Sequence, residues 1–212
     1  MNTDRPLHIR LAVPADYPAL AQIMAENFRG KFVIALGRDP ARRQRYLEAL
    51  LPTGVLCSGH VYVAYRDGAL VATFTIKMAD TIPAADDYRS AREALAKVSH
   101  PLRAWWAITV LRLLGGIRLQ PGEAYLDNLV VARAYQRQGV ATSLADFFYE
   151  QSRSLGNHTI YGDVMSSNAR VIGLFRQQGW EIVRRNYWLA PLTWPLLGTP
   201  GIFRIRKRLT DE

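Results

Sequence analysis

Apolar positions along the chain recur with two periods, and the switches between them mark out strands and helices. Ile9-Arg10-Leu11-Ala12 alternates as a strand. Asp16 to Phe28 then reads as a capped helix with Leu20, Ile23, Met24 and Phe28 on one face, and Arg38 to Leu51 as a second, basic helix. His60 to Tyr65 and Ala69 to Lys77 flank Asp67-Gly68, a dipeptide suited to a tight hairpin turn. From about Asp80 to Gly122 the period becomes helical twice. The second of these patterns puts Leu102, Trp105, Trp106, Thr109, Val110, Leu113, Leu114 and Ile117 on one stripe, with Arg103, Ala107 and Arg118 opposite. Such a stripe predicts a helix packed on the core, with a dimer contact or a wall for a second ligand as the other readings. Tyr125 to Val131, His158 to Val164, Trp180 to Ala190 and Gly201 to Leu209 complete seven predicted strands.

Between the fourth and fifth strands lies Gln136-Arg137-Gln138-Gly139-Val140-Ala141, which follows the run Leu129-Val130-Val131 and opens the helical pattern Val140, Leu144, Phe147, Phe148, Leu155. A strand-to-helix turn of this kind suits an anion, because the first N–H groups of a helix lack partners and carry partial positive charge. Gly139 and Ala141 let backbone come close to a phosphate, and Arg137 offers a forked donor or a solvated side chain. A second signature follows the fifth strand, where Asn168 opens a helix that ends at Gly179.

These two signatures closely resemble the GCN5-related N-acetyltransferases. That family places Gln/Arg-x-x-Gly-x-Gly/Ala at the turn from its fourth strand to its third helix. It follows its fifth strand with Asn, then an apolar residue, Leu, Tyr and Gly-Phe at fixed offsets, places held here by Asn168, Val171, Leu174, Phe175, Gly179 and Trp180. The resemblance implies an α/β acyl-CoA N-acyltransferase fold. Its central sheet is mixed and mostly antiparallel, strands four and five are parallel and splayed, and helices flank it. Residues 1–212 then form a single domain, with residues 80–122 a helical insertion where relatives need only a short connection.

Acetyl-CoA as cosubstrate follows from the resemblance, held by the turn Gln136, Arg137, Gln138, Gly139, Val140, Ala141 and Thr142 and by the fourth-strand amides Leu129, Val130 and Val131. No metal is implied. The expected reaction is acetyl transfer to a primary amine of a small molecule or peptide N-terminus by direct attack. It needs a proton acceptor and a backbone donor for the carbonyl oxygen. Asp127 stands where polyamine acetyltransferases carry a fourth-strand Glu, and is the preferred base; Asp163 stands where ribosomal-protein N-terminal acetyltransferases carry theirs. Either can instead be a strand carboxylate paired with a neighbouring cation. Asn168 reads as helix cap, as a contact to the pantetheine arm, or both, with Ser166 or Ser167 sharing the capping. Phe175 replaces a Tyr that protonates the leaving thiolate in many relatives, and a phenyl ring has no proton to give. Tyr161, Tyr187 or water are the alternative acids, and Phe175 is expected to pack against the thiol end of the cofactor.

Composition adds bounds. The 212 residues, 49% apolar, suffice for one good core, and no linker, repeat or low-complexity tract divides them. The polar start Met1-Asn2-Thr3-Asp4-Arg5 and the lone Cys57, expected to behave as a small buried hydrophobe, point to the cytoplasm. Arg112 interrupts the apolar run near 110, which falls short of the roughly 18 residues of a membrane span. Net charge +9 favours an anionic cofactor over polycationic acceptors, without an aromatic-interleaved motif for specific nucleic-acid binding. Two other classes compete: a catalytically silent acyl-CoA-binding or sensing module, and a nucleic-acid or membrane-surface binder. Trp105-Trp106 with Trp188, Leu189, Trp194, Leu196 and Leu197 is expected to form an apolar wall for the acceptor or a homodimer contact.

Overall fold

The computed structural model, described here for residues 6–27, 31–187, 194 and 199–209, is built on a seven-stranded sheet ordered β1-β2-β3-β4-β5-β7-β6. The strands are β1 (His8–Leu11), β2 (His60–Arg66), β3 (Ala69–Met78), β4 (Glu123–Val131), β5 (Thr159–Met165), β6 (Glu181–Asn186) and β7 (Ile202–Arg208). Neighbours run antiparallel except β4 and β5, which are parallel. A parallel pair needs a long crossover, here supplied by α6 (Val140–Ser154). The other helices are α1 (Tyr17–Asn27), α2 (Lys31–Leu36), α3 (Pro40–Leu50), α4 (Ala85–Ala96), α5 (Pro101–Gly115) and α7 (Ala169–Gln177).

Strand alternation divides the buried residues into two cores, one on each face of the sheet. Val61 and Val63 of β2 join Leu20, Met24, Leu47, Leu95 and Leu111 under α1 to α5. Tyr62 and Ala64, one residue out of phase, join Phe74, Ile160, Leu144, Phe148, Ile172 and Trp180 under α6 and α7. Arg43, buried in the basic helix α3, donates to the carbonyls of Ala25, Gly37 and Arg38 and so fixes α1 against the turn before α3. Cys57 is half-buried against the first core, and burial pushes its thiol up to about 11, so it behaves as a small hydrophobe.

Asp16 locks β1 to α1. Its carboxylate accepts from Arg10 at 2.7 and 2.8 Å, from the Val13 N–H at 2.7 Å and from the Tyr65 hydroxyl at 2.8 Å. The Arg10 hydrogen bonds, with those of Val13 and Tyr65, hold this carboxyl well below its ordinary range against the opposing effect of burial. A depressed value means stability that is complete above the unfolded value, near 4, and drains away as pH falls towards the folded one. Asp16→Asn therefore costs more stability at pH 7 than at pH 3, which urea midpoints at the two pH values would measure.

One expectation is overturned. In α5 the buried residues are Ala104, Ala107, Ile108, Val110 and Leu111, whereas Leu102, Trp105, Trp106 and Leu113 are exposed. Of the predicted stripe only Val110 and Ile117 are buried. Residues 104, 107, 108 and 111 form a competing stripe at helical spacing, and its two alanines let α5 approach α2 and α4 closely. Arg103, assigned to the polar side, instead reaches the Leu36 carbonyl at 3.2 Å. Phe28, Trp188, Leu189, Leu196 and Leu197 lie outside the described residues.

Candidate active site

The site begins where β4 ends. Residues Arg133–Tyr135 form a single 3-10 turn, Gln136 is extended, and Arg137 and Gly139 both take left-handed backbone, with φ of 63° and 77°. Gln136 and Gln138 turn their side chains inward, donating to the carbonyls of Val131 at 3.0 Å and Ala134 at 2.7 Å. Both amides thus brace the loop rather than reach outward. Thr142 and Ser143 make the first bonds of α6, each donating to the Gly139 carbonyl at 3.0 and 3.1 Å. The N–H groups of Val140 and Ala141 therefore sit at the helix opening, where an anion would complete them. No atom lies within 4 Å of where a Gly139 Cβ would stand, so what the position requires is left-handed backbone and open approach.

The sheet opens beside this loop. β4 and β5 pair from Glu123↔Thr159 through Leu126↔Gly162 and no further. On the other edge of β4, Thr73 faces Val130 and Thr75 faces Asp127, so Asn128 and Leu129 together oppose one residue of β3. Asn128 absorbs this bulge with left-handed φ of 53°. Beyond the last rung, the backbone groups of residues 128–131 that point towards β5 have no strand beside them. The first residues past that rung are Asp127 on β4 and Asp163 on β5, the two predicted carboxylates, one on each side of the opening.

Each carboxylate has a cation. Asp127 is buried and receives Lys77 Nζ at 2.8 Å, the pair being only 9% and 7% exposed at the side chain; its other oxygen accepts the Asn128 N–H at 2.9 Å. Asp163 is gripped by Arg204 through two parallel bonds of 2.9 and 3.0 Å, with both side chains partly exposed. Tyr125 lies beside both carboxylates, with the Arg204 guanidinium over its ring at 5.7 Å. Burial first, then the charges of Asp163 and Asp127, push its phenol well above the ordinary value, so it stays neutral and a donor. The side-chain amide oxygen of Asn128, Oδ1, is buried with no hydrogen-bond partner among the described residues.

A single cavity of about 950 Å³ passes through this opening. Its lining takes in Gln136, Arg137, Gly139, Ala141 and Thr142 of the loop, the carboxylates Asp127 and Asp163, and Leu114 and Gly115 at the end of α5; Asn27, also in the lining, accepts the Arg133 N–H at 3.0 Å. Asn168 and Phe175 also line it. Asn168 is the N-cap of α7, its side-chain oxygen accepting the Val171 N–H at 3.2 Å. Ser166 does not share that cap, because its hydroxyl bonds Thr199 at 3.1 Å. Phe175 packs edge-on against Trp180, centroids 5.0 Å apart, and Trp180 donates to the Tyr149 hydroxyl at 2.8 Å. Of the tyrosines considered as acids, Tyr161 donates to Glu123 at 3.1 Å and Tyr187 packs edge-on against Phe203, centroids 5.8 Å apart.

Lys77, Arg204, Tyr125 and Asn128 carry no local motif that marks them as site residues. A lysine at the end of the apolar run Phe74-Thr75-Ile76 looks like a strand terminus, yet it is 5% exposed. Arg204 becomes the partner of Asp163 only through the β5–β7 register.

A cleft opened through a mixed α/β sheet, lined by a helix-start cradle and by one carboxylate from each of the two diverging strands, is the architecture in hand. The chain belongs to the acetyltransferase (GNAT) family, whose model matches residues 19–180. It is 35% identical over 68 residues to the ribosomal protein bS18-alanine N-acetyltransferase of Escherichia coli K12. That match takes in 31% of this chain and 46% of the relative, so the chain spans about half the length of the curated relatives it matches. Among solved structures, the ribosomal-protein-S18-alanine N-acetyltransferase from Escherichia coli superposes with TM-score 0.60 at 14% identity, over 98% of this chain and 96% of the other. YncA from Salmonella typhimurium, solved with its cofactor acetyl-CoA, gives 0.56 at 15% identity over 98% and 96%. At such identities these likenesses establish the fold.

Proposed function

We propose that this protein is an acetyl-CoA-dependent N-acetyltransferase that modifies a primary amine, with the α-amine of a peptide N-terminus as the first acceptor to consider. The observation that carries this reading is the continuous cavity joining the left-handed loop at Gly139 to the carboxylates at the β4–β5 opening. Acetyl-CoA would supply the activated thioester. The helix opening at Val140 suits its pyrophosphate, and the unpaired edge of β4 at Leu129 to Val131 suits its carbonyl oxygen. The likeness to the ribosomal protein bS18-alanine N-acetyltransferase supports an α-amine. So does acid–base chemistry, since an α-amine near pKa 8 is about a tenth neutral at pH 7 and a lysine far less.

Attack by the neutral amine forms the C–N bond, the C–S bond breaks with sulfur leaving as thiolate, and the amine proton passes to a carboxylate directly or through water. Of the two carboxylates we assign this proton to Asp163. Neutralising Asp127 would strand the Lys77 cation in a dry site, at a cost of several kcal/mol. Neutralising Asp163 leaves Arg204, 27% exposed, where water can solvate it. Asp127 then acts as fixed negative charge beside the attacking amine, and Arg204 positions Asp163 through its two parallel bonds.

Two expected outcomes follow for the cofactor. Gly139→Asp puts a carboxylate at the helix opening in a backbone conformation that costs a non-glycine residue about 1–2 kcal/mol. Acetyl-CoA affinity by calorimetry should fall at least about a hundredfold in a folded variant, and unchanged affinity would remove the loop from the site. Phe175→Tyr should change the rate at neutral pH by less than about tenfold, because a thiolate whose thiol has pKa near 8.5 leaves without help. A larger gain would show that a missing acid limits the native chain. Thiol release from acetyl-CoA across a panel of amines tests the reading as a whole; cofactor binding without release from any amine would favour the silent binding module.

A further inference from the structure

We propose that the solvent-facing side of α5 docks this protein onto an anionic lipid surface. Leu102, Trp105, Trp106 and Leu113 are 73%, 54%, 47% and 70% exposed, and they share one side of the helix over about 16 Å. Isolated exposed apolar residues are ordinary, but Leu102 and two indoles on the next turn, with Leu113 two turns further along, line one side of this helix. The core does not claim it, since α5 turns Ala104, Ala107, Ile108 and Leu111 inward.

Charge selects the occupant. From Ala94 to Gly122 there is no Asp or Glu, while Lys97, Arg103, Arg112 and Arg118 fall in the same stretch. Lys97, Arg112 and Arg118 are exposed. Indoles favour the headgroup level of a bilayer, leucines the acyl boundary below it, and nearby cations the lipid phosphates, each cation adding about 1 kcal/mol near an anionic surface. A second copy suits the patch less well, because a two-fold contact would bring these cations against their own images without an acid in the segment to pair them. No described helix is long and apolar enough to cross a membrane, so the contact is peripheral. Leu114 and Gly115, at the end of the same helix, line the cavity that also holds Asp127 and Asp163, so a surface held by α5 lies close to that cavity.

The test is sedimentation of the full chain with phosphatidylcholine vesicles, with and without about a third phosphatidylglycerol. The protein should pellet with the anionic vesicles, less so as salt rises, and scarcely with the neutral ones. Trp105→Ser/Trp106→Ser should reduce the partition constant at least about tenfold while acetyl-CoA affinity is retained, a control for folding. Brominated lipids should quench the tryptophan emission of the unmodified protein, which tests contact without any substitution. Absence of quenching and pelleting, or equal pelleting of the double variant, would overturn the proposal. So would a stable dimer that the double variant dissolves, since the face would then be a subunit contact.

Discussion

Asp163→Asn is expected to lower kcat/KM for acetyl transfer by about 10²- to 10⁴-fold with little change in acetyl-CoA affinity. The amide keeps the shape of the side chain and its oxygen can still accept from Arg204, so the site should remain assembled while losing its proton acceptor. Asp127→Asn should lower the rate less in folded protein, because its part is fixed charge. If only the Asp127 change lowered turnover, the roles of the two carboxylates would be reversed, which is the preference that the fourth-strand resemblance suggested. Steady-state rates of the two variants at neutral pH separate the cases.

Lys77→Met is expected to destabilise the fold by about 3–5 kcal/mol, and Asp127→Asn by a similar amount. Both side chains are under a tenth exposed and meet at 2.8 Å. Removing either leaves the other as an uncompensated group in a site of low polarisability. The double replacement, Lys77→Met with Asp127→Asn, should recover part of the loss, and urea midpoints of the four proteins give the coupling directly. Additive losses would show that the two groups are solvated independently. The pair also joins β3 to β4 one residue before the bulge at Asn128, so its loss should loosen the opening between β4 and β5.

How much of this was readable from the sequence depends on how far apart the interacting residues lie. The turn Gln136 to Thr142 and the helix opening at Asn168 are local: strand, glycine and cap follow one another along the chain, and the structure forms them as spaced. The strands likewise emerge from alternation, with β2 and β3 flanking Asp67-Gly68 as expected. The short helix α2 was missed, since six residues offer neither a cap nor a full apolar period. The face of α5 was misassigned because the helix is apolar nearly all round, and weighting by bulk chose Trp and Leu over the small residues that fit the contact. Lys77 and Asp127 are 50 positions apart and meet only because the bulge shifts the register of β3 against β4. Arg204 reaches Asp163 only because β7, not β6, lies next to β5. The carboxylates were legible as candidates; their partners, which decide what each can do, were not.

The measurement that bears most directly on the account is acetyl transfer to paired peptides. One has a free α-amine and no lysine, and its counterpart has a blocked N-terminus and a single lysine. With acetyl-CoA present, thiol release and a gain of one acetyl group, located by fragment mass at the N-terminus, should appear with the first peptide and far more weakly with the second. Acetyl-CoA binding with no thiol release from either peptide, or from free small amines, would contradict the assignment of this site to amine acetylation.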